Sequence, residues 1–193
     1  MTNPLLGPVG LPAFDRLEAS HVEPAMRQHL AQLERDFAAF EAGVGGASTY
    51  DAVVGRLSDI AEPMGWAWGV VNHLLGVRNS DALRAAHQAV QGDVVALWLK
   101  LAQSRPVYQA LKRLSGLGEV EARVVAARVR DAELSGVGLD GEAKAAFLKN
   151  QQELSELATR FGNQVLDATK AFALDLTSPA EVEGLPASAL AGA

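Results

Sequence analysis

Residues 130–169 read RDAELSGVGLDGEAKAAFLKNQQELSELATRFGNQVLDAT. This stretch closes one helix and opens a longer one. Leu134-Ser135-Gly136 is a stop signal, because glycine adopts left-handed backbone without the penalty of a Cβ. Asp140 and Glu142 then put negative charge where free N–H groups of a new helix accumulate. Beyond them Phe147, Leu154, Leu157, Phe161, Val165 and Phe172 recur at helical spacing. The pattern predicts one unbroken helix over about 141–171. At 1.5 Å per residue it would span roughly 45 Å, so it needs neighbours along its whole length.

Upstream the same period repeats. A fifth helix is predicted over about 119–135 with Val120, Val124, Ala127 and Leu134 inward. Pro106 suits the first turn of a short fourth helix carrying Val107, Tyr108, Leu111 and Leu114. Ser80 caps a third helix whose stripe is Leu83, His87, Val90, Val94, Leu97 and Leu101. The second helix opens near Ser48 or Thr49 and runs to about Val77, with Tyr50, Val53, Leu57, Ile60, Met64, Trp68, Val71 and Leu75 inward. Pro63 either kinks or breaks it, and the continuous period favours a kink. The first helix starts at Ser20, where Ser20 and Glu23 match a capping box and Pro24 falls in the first turn. Val22, Met26, Leu30, Leu33, Phe37 and Phe40 form its stripe, and Gly43, Gly45 and Gly46 end it.

Residues 1–19 read as an extended arm pinned by Leu11, Phe14 and Leu17. Residues 20–172 read as the helical domain. Residues 173–193 read as a C-terminal segment that leads into a further, catalytic domain; 173–177 alternates like a short strand, and 180–184 suits one helical turn. The fold class expected is all-α: an elongated bundle of about six helices with one long C-terminal helix and a short strand or irregular tail. A lone strand has no partner here, which favours a chain that continues elsewhere.

Composition narrows the function. Hydrophobic residues make up 49% of the 193 and charged ones 21%, as in globular domains. The net charge of −6 argues against nucleic acid or an anionic membrane as partner. No cysteine is present, which removes disulfides, thiolate metal sites and cysteine nucleophiles. The start, MTNPLLGPVGLP, lacks the marks of a secretion signal, so the cytoplasm is expected.

Candidate chemistry is sparse. A zinc peptidase needs two histidines one helical turn apart with a glutamate between them. His21, His29, His73 and His87 contain no such pair. His21 and His29 are eight positions apart, and a His73–His87 metal site is weighed against the commoner hydrogen-bonded histidine, which is preferred. GVGG at 43–46 lacks the lysine of a phosphate loop, and Ser135-Gly136-Val137-Gly138 follows a helix where a dinucleotide turn follows a strand. Asp131, Glu133, Asp140, Glu142, Glu153, Glu156 and Asp167 read as a solvated face. Asn163 and Asp167, beside the apolar stripe, read as structural. Trp68 reads as core, and Trp66 and Trp98 as partly exposed and fit for a partner surface. No catalytic residue and no metal ligand is assigned, and substrate-binding residues are unknown.

Six segments together resemble one family. They are Leu11-Pro12-Ala13-Phe14 with His21-Val22-Glu23-Pro24-Ala25; Asn72-His73-Leu74; Val77-Arg78-Asn79-Ser80 with Leu83-Arg84; Asp131 to Leu139; Leu154 to Thr169; and Val182 to Pro186. In this order they resemble the N-terminal region of the thimet oligopeptidase family of zinc metallopeptidases, and the MTNPLL opening is similar to its bacterial oligopeptidase A branch. The resemblance implies a non-catalytic helical domain that forms a wall of a substrate channel and restricts entry to short peptides. It implies zinc in the parent enzyme and no cofactor in this chain, because HExxH is absent from these residues. Expected partners are the catalytic domain, short peptides through the parent, and a second copy through the exposed lobe interface. The other reading is a stand-alone helical module that binds a peptide or protein without enzyme activity.

Overall fold

A computed structural model describes residues 3–192. Among them are seven α-helices and no strand: α1 (Ala19–Gly43), α2 (Arg56–Val77), α3 (Asp81–Ala102), α4 (Arg105–Arg113), α5 (Glu119–Leu134), α6 (Gly141–Ala171) and α7 (Ala187–Leu190). The all-α class expected from periodicity is found. The chain divides into two compact units, one through Glu156 and one from Leu157.

The first unit holds the core. α1 packs along both α2 and α3, whereas α2 and α3 touch each other sparingly. Phe37, Met26 and Leu33 of α1 are buried together with Met64 and Val71 of α2 and Val90 and Val94 of α3. The α3 stripe is buried at every position named from sequence. α4 is capped by Ser104, whose Oγ accepts the Val107 N–H at 3.3 Å, and it buries Val107 and Leu111.

Several local expectations are corrected. α1 begins at Ala19, one residue before the expected Ser20. The reciprocal bond at its start is made by His21, whose Nδ1 accepts the Glu18 N–H at 3.2 Å. Pro24 is therefore beyond the first turn; the N–H it lacks would have reached Ser20, which is exposed and can be hydrated. α2 runs unbroken through Pro63. It is preceded by a π-helical segment, Asp51–Gly55, in which the Arg56 N–H reaches the Asp51 carbonyl. Val53 and Val54 within this segment are both buried.

The α5 stripe is also displaced. Val120 and Leu134 are exposed, and the buried residues are Val125 and Ala132. The run VVAARV supports two overlapping helical registers, and packing chose the other one. In the arm, Leu17 is buried as expected and Phe14 packs on His73, but Leu11 is 96% exposed and does not pin it; Leu5, in a 3₁₀ turn over Pro4–Leu6, is buried as well. Residues 173–177 form no strand, as expected where an extended segment has no neighbour to pair with.

Gly136 ends α5 as the sequence predicts. With φ of +82°, it lets the Val137 N–H reach the Ala132 carbonyl at 3.0 Å and its own N–H reach Glu133 at 3.0 Å. These two bonds satisfy helix-terminal carbonyls and turn the chain toward α6.

α6 has no buried residue. Leu154, Leu157, Phe161 and Val165 are exposed by 58, 42, 68 and 47%. Two phenylalanines of similar sequence context should therefore respond oppositely to truncation. Phe37→Ala, which opens a core cavity, should lower the unfolding free energy by about 3–5 kcal/mol. Phe161→Ala should change it by less than about 0.5 kcal/mol. Urea denaturation followed by far-UV circular dichroism measures both.

Candidate functional site

The polar side chains singled out in the sequence fall in three places. The first holds the N-terminal arm. The His29 Nε2–H donates to the Leu5 carbonyl at 2.8 Å, the Trp66 Nε1–H to the Gly10 carbonyl at 2.8 Å, and Arg78 Nη1 to the Phe14 carbonyl at 3.2 Å. Asn3 Nδ2 donates to the His21 carbonyl at 2.8 Å. His73 packs its ring on Phe14, with centroids 5.4 Å apart. Four arm positions thus attach to α1 and α2 through polar groups, and an extended segment without its own hydrogen-bond ladder needs such partners. His29 and Trp66 are used in this way, His73 through its ring and His21 through its backbone carbonyl.

The second place is the direct contact of α2 with α3. His87 is 3% exposed and stacks on Trp68, with ring centroids 4.4 Å apart and planes 13° apart. Its Nε2–H donates to Asn72 Oδ1 at 3.1 Å, which leaves Nδ1 as an unprotonated acceptor with no hydrogen-bond partner. Burial pushes the His87 pKa down to about 4. The neutral imidazole is the form that suits this environment, since a charged ring would lose hydration with no anion to replace it.

The third place is the α5–α6 connection, residues 135–140. Gln103 Nε2 donates to the Ser135 carbonyl at 2.8 Å. Arg105 Nε donates to the Val137 carbonyl at 3.2 Å, and its Nη2 to Asp140 Oδ2 at 2.6 Å. Glu133 accepts from the Tyr108 hydroxyl at 2.6 Å. Gln91, buried in α3, donates through Nε2 to both Ser155 oxygens, at 2.9 and 2.7 Å, and so holds the first half of α6. Asp131, Glu142, Glu153 and Glu156 are exposed. In the second unit Asn163 is half-buried and Asp167 exposed.

Sequence reading missed Gln91, Gln103 and Arg105. Gln91 carried a signal: it lies four residues after His87 and three before Val94, on a face that is otherwise apolar. Gln103 and Arg105 gave none, because a side chain that bonds a distant carbonyl leaves no pattern in its own segment.

The histidines are parted by these roles, and His73 and His87 do not form a metal pair: one ring lies on Phe14 and the other on Trp68. Among the described residues no three His, Cys, Asp or Glu side chains gather as metal ligands. The residues present do not fit a zinc ion. No helix among the described residues is long and apolar enough to cross a membrane.

The family model for the Neurolysin/Thimet oligopeptidase N-terminal domain matches residues 26–144. The chain is 40% identical to the organellar (chloroplastic/mitochondrial) oligopeptidase A of Arabidopsis thaliana, over 98% of its own length and 24% of that protein. It is 38% identical to a probable cytosolic oligopeptidase A of the same plant, over 98% and 28%. It is 32% identical to oligopeptidase A of Escherichia coli K12, over 100% and 29%. The chain thus spans between about a quarter and 29% of the length of the curated relatives it matches. The two plant proteins are more similar to it than the E. coli protein, so the MTNPLL opening, whose first two residues lie outside the described ones, does not single out the bacterial branch.

The neutrality of His87 makes a pH prediction. Its folded pKa of about 4 lies below the ordinary 6.5, so protonation favours the unfolded chain. Above pH 6.5 the group takes nothing from stability. As pH falls from 6.5 toward 4, stability should drop by on the order of 2–3 kcal/mol. His87→Phe should flatten that slope in urea melts taken at successive pH values, whatever it does to stability at pH 7.5.

Proposed function

The chain belongs to the neurolysin/thimet oligopeptidase family, and from that premise we propose that it works as the non-catalytic N-terminal helical domain of an oligopeptidase A-like zinc metallopeptidase. In this reading its helices build one wall of the parent's substrate channel and limit entry to short peptides. Zinc and the residues that hold it belong to the rest of the parent enzyme. The cytosol is the proposed compartment, as for the probable cytosolic oligopeptidase A among its plant relatives.

The observation that carries this reading is the uncovered stripe of α6. Leu154, Leu157, Phe161 and Val165 follow one another at spacings of three, four and four, which places them along one helix face. Monomeric proteins rarely leave so many large apolar groups together in water, and such faces mark surfaces for another body of protein. A catalytic domain of the same parent supplies that body. The domain division proposed is an arm over 1–19, a helical domain over 20–172, and a segment over 173–193 that leads toward the catalytic part.

Two measurements test the proposal. The purified chain, supplied with zinc and a quenched fluorescent peptide, should show no hydrolysis; turnover that a chelator abolishes would overturn the reading. Without its covering domain the chain should self-associate through α6, and Phe161→Glu should return it to monomer in sedimentation velocity. A wild-type chain that stays monomeric at high concentration and binds a protein or peptide partner by itself would favour the stand-alone module.

A further inference from the structure

Between α2, the end of α3, α4 and α5 lies a cavity of about 170 Å³. Its walls include Leu57 of α2, Leu101 of α3, and Val107 and Leu111 of α4, all buried. Trp98 lends a half-buried indole to one side. The volume suits one benzene-sized ring; a cavity of roughly 150 Å³ lined by aliphatic side chains takes benzene.

The mouth differs in character. Arg128 and Asp131 line it from α5, three residues apart, and so stand side by side on one helix face. Both are held loosely. Arg128 Nη2 donates to Ser58 Oγ at 3.3 Å, and Asp131 Oδ1 accepts from the neighbouring Arg130 at 3.4 Å. An apolar well with one positive and one negative group at its rim is complementary to a ring that carries both charges close together.

We propose that this cavity binds a free aromatic α-amino acid, phenylalanine being the best fit by size. The ring fills the well against Trp98 and the aliphatic side chains. The carboxylate takes N–H donors from Arg128, and the ammonium donates to Asp131. A guanidinium fork matches a carboxylate in geometry. A ring alone would gain the apolar term only, and a ligand with one charge would leave the opposite rim group unanswered. This site is independent of the channel role proposed above and needs no metal.

The test is a titration of the 193-residue chain, followed by ¹⁵N-edited NMR, with phenylalanine, 3-phenylpropionate and 2-phenylethylamine. Trp98→Phe assigns the indole resonance. Phenylalanine should shift the Trp98 indole signal and the amides of 128–132 at millimolar concentration. Each half-ligand should bind about tenfold more weakly, as loss of one charge-assisted bond implies. Arg128→Gln should weaken phenylalanine about tenfold and leave 2-phenylethylamine unchanged; Asp131→Asn should do the converse with 3-phenylpropionate. Both positions are exposed, so both variants should melt like the parent chain. No shift at tens of millimolar, shifts scattered away from the cavity, or half-ligands that equal phenylalanine would each overturn the proposal.

Discussion

The structure of the first unit depends on α1 being apolar toward two neighbours at once. Its buried residues, from Val22 to Phe37, face both α2 and α3, which scarcely meet each other. Remove that shared contact and α2 and α3 retain one another only through a few pairs, the Trp68–His87 stack among them. A large ring at position 37, 1% exposed, belongs to the same core. Truncating a ring so enclosed loses both transfer energy and packing, because the surrounding helices relax only partly over the gap.

The arm follows a different logic. An extended segment brings carbonyls that no regular structure satisfies. The chain answers with side-chain donors from α1, α2 and the residue just after α2, namely His29, Trp66 and Arg78, each to a different arm carbonyl. Two buried leucines, Leu5 and Leu17, give the apolar grip. Donors to backbone are not written in sequence periodicity. That explains why the arm and its Leu17 contact were legible while its polar attachments were not.

Helix existence and most boundaries were readable because Gly, Ser and Pro punctuate this chain clearly. Ser80 and Gly136 start and stop helices where expected, and Pro106 lies in the first turn of α4 as expected. Registers were readable where one face alone is apolar, as in α3. They failed where valines and alanines crowd, as in α5; the α2 stripe held on both sides of the π-turn, with Val53, Leu57, Ile60, Met64 and Val71 all buried. The buried polar groups show the same limit from another side. His87 was visible as a polar member of an apolar stripe, and its preferred role as a hydrogen-bonded histidine holds for Nε2. Its unpartnered Nδ1 could not be foreseen, since that depends on which residues α2 brings opposite.

Among the described residues the α6 stripe and the cavity between α2 and α5 are both open to solvent, and their shapes call for different occupants. The α6 stripe is convex and linear. A convex row of side chains gains little from a small molecule, which could cover only one of them; an opposing protein surface covers all four at once, and the gain scales with area. The α2–α5 cavity is concave, so one ring can lie against several of its walls at once. The two surfaces also differ in what salt should do. Association along the stripe is apolar and should not weaken with ionic strength. Binding at a rim that carries Arg128 and Asp131 includes exposed charges, which salt screens over roughly 8–10 Å. Occupancy of one surface can therefore be told from occupancy of the other by sodium chloride alone.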